Sequence, residues 1–230
     1  MGLGIKTRLL HWGQMVFRYR LPSLRWKLFQ DTSQHGEYSV LRKLIKPSTP
    51  RIVVEVGAND GVRHSNSYPF IRQGWAGILI EPNPVVFREL RERYSANNRV
   101  QTINCACGEA PGTLPLFLGS DGDIGEFATL APSNGSSSPS RAFEVKVNTL
   151  TDVLGGVGCP ADIGILSVDT EGFDFRVFGG LDFKKFRPCF IITEDQSADD
   201  RQKFELLRSR GYRLKHRRGC NSIWESNANP

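Results

Sequence analysis

Short apolar runs alternate with helical segments along the chain from residue 51 onward. The runs are almost continuously apolar, as in strands that are buried on both faces of a sheet. The predicted strands are residues 52–56, 77–80, 100–106, 163–168 and 189–193. The segments between them carry helical periodicity or helix-start signals, such as Pro84 in a first turn. The predicted helices are residues 66–73, 84–96, 150–154 and 199–210. This alternation predicts βαβ units and a doubly wound α/β fold with a mostly parallel sheet.

The last part of the chain departs from this alternation. The helix over residues 199–210 ends at Gly211, and two short strands are predicted at residues 212–215 and 222–224. We expect these two strands to close the sheet as an antiparallel pair. The 230 residues suffice for one sizeable core, and we therefore assign residues 31–230 to a single domain.

Residues 119–140 interrupt the domain with a stretch that is rich in Gly, Ser, Pro and Asp and has no periodicity. The stretch is longer than an ordinary connection between two elements. Two interpretations remain open: a flexible surface insertion, or a lid over an active site.

The formal net charge of +6 comes from the start of the chain. Residues 1–30 contain six Lys or Arg and no Asp or Glu, whereas the remainder contains 24 of each sign. The domain therefore lacks the excess of positive charge that is typical of proteins that bind nucleic acid, and we expect no nucleic-acid partner. The arm mixes its cations with large apolar residues, which predicts an amphipathic segment that either contacts an anionic membrane or packs on the domain.

The cysteines and the absence of long apolar stretches indicate the cellular compartment in which the protein lies. The five cysteines match neither a disulfide framework nor a zinc-binding spacing, which favours a reducing environment. Cations interrupt every apolar stretch of residues 1–30, so neither a signal peptide nor a membrane span is predicted. We expect a cytoplasmic protein with peripheral membrane contact through the arm. Nothing in the sequence specifies an oligomeric state.

The first predicted strand ends in a turn that is punctuated by glycine at positions 57 and 61. In a doubly wound sheet this turn lies where a reversal of strand order opens a crevice for a nucleotide-like ligand. The spacing is not Gly-x-Gly-x-x-Gly, and Glu55 lies inside the strand, which favours a ligand with a sulfonium and an amino-acid tail over a pyrophosphate. Glu81 ends the second strand about twenty residues later, where a carboxylate can bind both ribose hydroxyls.

Four segments resemble the FkbM family of S-adenosylmethionine-dependent methyltransferases. They are residues 33–37, residues 55–61 with 65–67, residues 74–77 running into 80–84, and residues 167–172 followed by 177–180. The resemblance covers nearly everything after the arm, and its most specific part is Asp-Thr-Glu-Gly at 169–172. The usual Lys two positions before that Asp is Ser167 in this chain.

The resemblance implies a class I, Rossmann-like methyltransferase that transfers a methyl group to a hydroxyl of a sugar, a glycan or a natural product. It does not specify the acceptor. It also implies that residues 105–108 lie near the adenine and that Glu81 binds the ribose. The residues implied to lie along the methionine and ribose portions are Glu55, Gly57, Asn59, Asp60 and Gly61.

Asp169 and Glu171 follow the fourth strand and are the candidate catalytic residues. A hydroxyl acceptor needs a group that takes its proton as the oxygen attacks the methyl in line. The alternative is structural: Glu171 would cap the helix that begins near residue 173, and Asp169 would orient a loop. His64 is a weaker candidate for the base, because it lies just after the glycine turn.

Glu194 and Asp195 end the fifth strand, next to the fourth. Up to four carboxylates could therefore converge at one end of the sheet, which is costly unless a cation joins them. A magnesium ion could fill that role and acidify a sugar diol. The alternative is that these carboxylates diverge at the surface, and the metal assignment stays open.

Three other functions compete with this one. A nucleic-acid methyltransferase would show a basic face or a nucleophilic Cys in a loop, whereas Cys189 enters an apolar strand. A nicotinamide-dependent oxidoreductase would be expected to carry the third glycine of its fingerprint. A catalytically silent scaffold with the same fold is the third alternative.

Overall fold

A seven-stranded sheet forms the centre of the protein in the computed structural model, which describes residues 31–117, 130, 142–195 and 197–228. The strands are β1 (Ile52–Val56), β2 (Ala76–Ile80), β3 (Val100–Ile103), β4 (Ala106–Gly108), β5 (Gly112–Phe117), β6 (Ala142–Thr149), β7 (Asp162–Val168), β8 (Arg187–Glu194), β9 (Tyr212–Arg218) and β10 (Asn221–Ser226). The helices are α1 (Glu37–Leu44), α2 (Tyr68–Ile71), α3 (Pro84–Tyr94), α4 (Leu150–Gly156), α5 (Asp174–Gly179) and α6 (Asp200–Ser209).

The strand order of the main sheet is β3-β2-β1-β7-β8-β10-β9. The first five of these strands pair in parallel, and β10 pairs antiparallel with both β8 and β9. The predicted doubly wound, mostly parallel sheet with an antiparallel C-terminal pair is thus confirmed.

The strand order reverses between β1 and β7. The chain proceeds outward from β1 through β2 and β3, and then crosses back to pair β7 with the other side of β1. The carboxyl ends of β1 and β7 are adjacent, with Val56 paired to Val168. A crevice opens at such a switch point, so the glycine turn and Asp169 meet there.

Helices cover both faces of the sheet, and each face has its own apolar core. One core joins α1, α2 and α3 to the sheet, and its sheet residues include Val53, Leu79 and Ile165. The other joins α4, α5 and α6 to the opposite face. It includes Val54 and Val56 of β1, so successive residues of this strand serve different cores.

The start of α3 follows from two residues. Pro84 occupies the first turn, where its missing N–H removes no helical hydrogen bond. The side chain of Asn83 caps the helix by accepting a hydrogen bond from Val85 N at 3.0 Å. The predicted helix over residues 84–96 is confirmed in its start and ends two residues early, at Tyr94.

The prediction of one strand over residues 100–106 was wrong. The strand stops at Ile103 because Asn104 Nδ2 donates to the carbonyls of Glu81 and Pro82, at 2.8 and 3.1 Å, beyond the end of β2. The chain then enters a second sheet of three strands, in the order β4-β6-β5. In β6, buried Val145 and Val147 alternate with exposed residues, a period-two pattern that the strand assignment overlooked.

The helix predicted at residues 66–73 is shorter in the structure, where α2 is one turn long. Ser65 and Ser67 precede it with hydroxyls that bond to Glu55, so the chain before the helix is held by side chains. Gly74, with a φ of 87°, follows the turn and redirects the chain into β2.

Two predicted segments lie outside the described residues. They are the arm, residues 1–30, and all of the insertion at residues 119–140 except Leu130. Within the described ranges, no helix has both the length and the apolarity that crossing a bilayer requires.

Candidate active site

A cavity opens at the switch point and is lined by residues that follow several strands. Glu55 of β1, Glu81 after β2, Cys107 of β4 and Asp169 after β7 all line it. Leu130 also lines it and is the one described residue of the insertion. The cavity is therefore acidic where β1, β2 and β7 end, and more apolar on the side of the second sheet.

Backbone strain concentrates at this cavity. Among the described residues, only Asn59, His64 and Glu171 combine a side chain with a positive φ, at 49°, 55° and 52°. All three line the cavity. Such conformations cost free energy and persist at sites where the surrounding structure enforces them, often for function.

Glu81 lies where the sequence predicted a ribose-binding carboxylate, and the backbone holds it in place. Its Oε2 accepts from Asn59 N at 2.9 Å, and its Oε1 accepts from Asn83 N at 2.8 Å. Burial raises the pKa of Glu81 to about 7, although these two hydrogen bonds oppose the shift. Each carboxylate oxygen can accept a further hydrogen bond from a ligand.

Glu55 lines the cavity, but its carboxylate bonds to the protein. Its Oε1 accepts from Asn66 N at 2.7 Å, and its Oε2 accepts from the hydroxyls of Ser65 and Ser67 at 2.7 and 2.5 Å. The prediction that Glu55 faces a ligand cation stays a prediction, because the residue lines the cavity and its Oε1 accepts one hydrogen bond here. The side chain orients the loop beside the cavity.

The other residues of the glycine turn differ in their relation to the cavity. A Cβ on Gly57 would lie 1.8 Å from the carbonyl oxygen of Asp169, so glycine is required here by the neighbouring chain and not only by a ligand. Neither Asp60 nor Gly61 is among the described residues that line the cavity. Asp60 instead accepts from Val62 N at 2.9 Å and from Arg63 N at 2.8 Å.

The turn that carries Asp169 and Glu171 is fixed by a residue beyond it. Asp174 Oδ1 accepts from both the backbone N and the hydroxyl of Thr170, at 3.0 and 2.6 Å. Its Oδ2 accepts from the Thr193 hydroxyl and Glu194 N, at 2.6 and 3.1 Å. Asp174 thereby ties the turn after β7 to the end of β8.

Burial and mutual repulsion raise the proton affinity of the acids at this turn. The pKa of Asp169 lies well above its usual range because of burial, and then because of Glu171, Asp174 and Glu194. Burial, followed by repulsion from Glu194 and Asp174, raises the pKa of Glu171 to about 7. The shift favours the protonated form of Asp169, whereas Glu171 is close to half ionised at neutral pH.

A buried lysine lies beside these carboxylates. Lys203 of α6 is fully buried, and its Nζ lies 2.9 Å from Asp200 Oδ1 and 3.9 Å from Asp174 Oδ2. It also donates to the carbonyl of Glu194. No group of three candidate metal ligands occurs among the described residues. The convergence of acids expected from the sequence is therefore correct in part, but the cation found there is an ammonium and the findings give no support to magnesium.

The sequence did not predict the roles of three residues at this edge of the sheet. Asp174 lies three positions after Glu171, where its spacing suggested only a helix start. Lys203 is one cation in a polar helix, and its burial depends on the packing of α6 against β8. Asn66 lies in the Ser-Asn-Ser segment that the resemblance included, but it carried no signal of burial.

We predict that Lys203→Met destabilises the fold by about 3–5 kcal/mol, because removal of one partner leaves buried carboxylates without their countercharge. Arg201→Met on the same helix is the matched control, since the side chain of Arg201 is 89% exposed and pairs with the exposed Glu205. Its cost should stay within about 1 kcal/mol. Urea unfolding of both variants measures the difference, and equal midpoints would contradict the prediction.

Solved structures of methyltransferases are similar to this chain at low sequence identity. A putative caffeoyl-CoA O-methyltransferase from Staphylococcus aureus is 10% identical, with 97% of this chain and 100% of that chain covered and a TM-score of 0.48. A precorrin-6y C5,15-methyltransferase from Geobacter metallireducens is 10% identical, with 81% and 84% covered and a TM-score of 0.44. A putative RNA methyltransferase from Pyrococcus horikoshii is 12% identical, with 91% and 82% covered and a TM-score of 0.41.

No curated protein sequence matches the chain. Residues 55–214, however, match the methyltransferase FkbM domain, a span that begins at Glu55 and includes Glu81, Asp169 and Glu171. The chain therefore belongs to the FkbM family of S-adenosylmethionine-dependent methyltransferases.

Proposed function

We propose that the protein is an O-methyltransferase that acts on a hydroxyl of a sugar, a glycan or a natural product. One observation carries the proposal: Glu171 lines the same cavity as the residues expected to bind the cofactor, close to Asp169 and with a pKa of about 7. A base with this pKa is suited to accept a proton at neutral pH.

The lining of the cavity fits S-adenosylmethionine, which when bound supplies an electrophilic methyl group on a sulfonium. Glu81 is held by two N–H donors and can still accept hydrogen bonds from ribose hydroxyls. Cys107 and Leu116 offer an apolar surface for an adenine. Asp169 and Glu171 make the remaining part acidic, which suits a ligand with net positive charge.

Glu171 would act as the general base. Its carboxylate would take the proton of the acceptor hydroxyl as that oxygen gains the methyl group, whose bond to the sulfonium sulfur breaks. The products would be a methyl ether and S-adenosylhomocysteine as the leaving group. The positive φ of Glu171 and the hydrogen bonds from Thr170 to Asp174 fix the turn from which this side chain projects. A fixed turn lowers the entropic cost of positioning the base.

Asp169 would have a different role from Glu171. Its pKa lies well above its usual range, which favours the protonated form, and in that form it can donate a hydrogen bond to an acceptor oxygen. Glu171, whose pKa of about 7 leaves it close to half ionised, is the preferred base in the proposed mechanism.

The proposal is tested by methyl transfer from labelled S-adenosylmethionine to glycan, lipid-linked sugar and RNA fractions. A base-stable, RNase-resistant label in a carbohydrate fraction is expected for a methyl ether. A label that RNase releases would overturn the choice of acceptor. Cofactor binding without transfer to any fraction would favour the catalytically silent alternative.

We predict that Glu81→Ala weakens S-adenosylmethionine binding by about 1.5–3 kcal/mol, the range for a lost hydrogen bond to a charged group. Glu89→Ala removes an exposed acid from α3 and is the matched control with unchanged affinity. Calorimetric titration measures both. Wild-type affinity in Glu81→Ala would remove this residue from the cofactor site.

We predict that Glu171→Gln lowers turnover by about 10²–10⁴-fold while leaving cofactor affinity nearly intact. In the wild type, kcat/KM should rise with pH up to about 7 and then level off, because only the ionised carboxylate accepts a proton. The substitution should remove this rise. Glu92→Gln, at an exposed position of α3, controls for a general effect of charge.

The companion variant Asp169→Asn distinguishes the two acids. If it alone abolishes the rise with pH, Asp169 is the base and the assignment to Glu171 is wrong. If both amide variants keep wild-type turnover, the two carboxylates are structural and His64 becomes the next residue to test.

We further propose a cytoplasmic protein that contacts anionic membranes through residues 1–30, in which six cations have no compensating acid. In the full chain, replacement of Arg18, Arg20, Arg25 and Lys27 by Ser should abolish flotation with anionic vesicles and leave cofactor affinity unchanged. Neutral vesicles are the control. Equal flotation of both proteins would show that the arm is not a membrane contact.

A further inference from the structure

Asn66 carries an unpaired polar atom inside the protein. The residue is 3% exposed, and its Oδ1 is the one buried side-chain nitrogen or oxygen without a hydrogen-bond partner among the described residues. A buried acceptor without a donor costs about 1–3 kcal/mol. Because nearly all such groups are paired in folded proteins, this exception calls for a specific cause.

The rest of Asn66 is held firmly. Its backbone N donates to Glu55 Oε1 at 2.7 Å, and its Nδ2 donates to Ser167 Oγ at 3.0 Å. The hydroxyls of Ser65 and Ser67, on either side in the sequence, bond to Glu55 Oε2. The loop and the amide are thus fixed from β1 and β7, so Oδ1 is not free to turn toward another partner in the protein.

Asn66 lines the candidate active site, close to the carboxyl ends of β1 and β7. Its two anchors, Glu55 and Ser167, are paired residues of these two strands. A ligand that enters the cavity is therefore the candidate to supply the missing donor.

The charges around Asn66 select the kind of donor. Glu55 contacts Asn66 directly, and Asp169 lies close enough to Glu55 for the two carboxyl groups to repel each other. The nearest cation of the lining, Arg63, lies 3.8 Å from Asp60 and is directed to that carboxylate. A positively charged donor is therefore favoured over a neutral hydroxyl.

We propose that Asn66 Oδ1 accepts a hydrogen bond from the amino group of the methionine portion of the cofactor. The assignment rests on the proposed function, in which Glu81 binds the ribose and the second sheet contacts the adenine. Those contacts use the ribose hydroxyls and the adenine ring of the cofactor. The ammonium group of the methionine portion is the cationic donor that remains for Asn66. Glu55 then acts as a positioning residue, because it holds Asn66.

The test compares two ligands by calorimetric titration: S-adenosylhomocysteine, and its analogue in which hydrogen replaces the amino group. Asn66→Ala should weaken binding of S-adenosylhomocysteine by about 10- to 150-fold, the equivalent of a lost hydrogen bond to a charged group. Binding of the deaminated analogue should not change. Asn66→Asp keeps an acceptor at this position and should retain affinity for S-adenosylhomocysteine.

Other results would overturn the assignment. Equal weakening of both ligands in Asn66→Ala would indicate a structural role, and unchanged binding of both would exclude a contact. If Asn66→Ala does not fold, Ser167→Ala, which releases the amide, should show the same selectivity for the amino group in a weaker form. Wild-type protein that binds neither ligand would instead overturn the proposed function, a result distinct from selective or uniform loss in the variant.

Discussion

The hydrogen bonds that buried carboxylates accept hold the loops at the carboxyl edge of the sheet. Parallel strands end in loops that have no ladder to satisfy their backbone N–H groups. Glu55 fixes residues 65–67 on one side of the switch point, and Asp174 fixes residues 169–171 on the other. Without these two side chains, the strand ends would still be adjacent, but the loop residues that line the cavity would not be held in position.

The concentration of negative charge at this edge of the sheet opposes folding and favours the binding of a positively charged ligand. Lys203 is the one fully buried cation among the described residues, and it contacts Asp174 and Asp200. Burial, and then repulsion from neighbouring carboxylates, raises the pKa values of Asp169 and Glu171. The fold loses stability at this site through the raised pKa values of these acids, the left-handed backbone of Asn59 and the unpaired acceptor of Asn66.

The sequence predicted the fold better than the details of the site. Apolar runs specified the strands of the main sheet, and the switch point followed from their order, so Glu81 and Asp169 were expected at one edge. The break after Ile103 could not be foreseen, because it depends on Asn104 reaching carbonyl groups of a neighbouring strand end. Spacing likewise could not show whether Glu55 would meet a ligand or its own loop, since that choice depends on hydrogen bonds between segments distant in sequence. The burial of Lys203, a single lysine in its helix, could not be predicted from the sequence for the same reason.

The place where the chain enters the domain has a consequence for how an acceptor could arrive. Thr32 donates its hydroxyl hydrogen to the carbonyl of Ser65 at 3.1 Å, Ser33 forms a bridge with His64, and Gln34 lines the cavity. The first described residues thus run along the rim of the site. An arm that bound a bilayer would hold the cavity mouth near the lipid headgroups. An acceptor carried by a lipid would then reach the site by diffusion in two dimensions, and its effective concentration would depend on the area of the membrane instead of the volume of the cell.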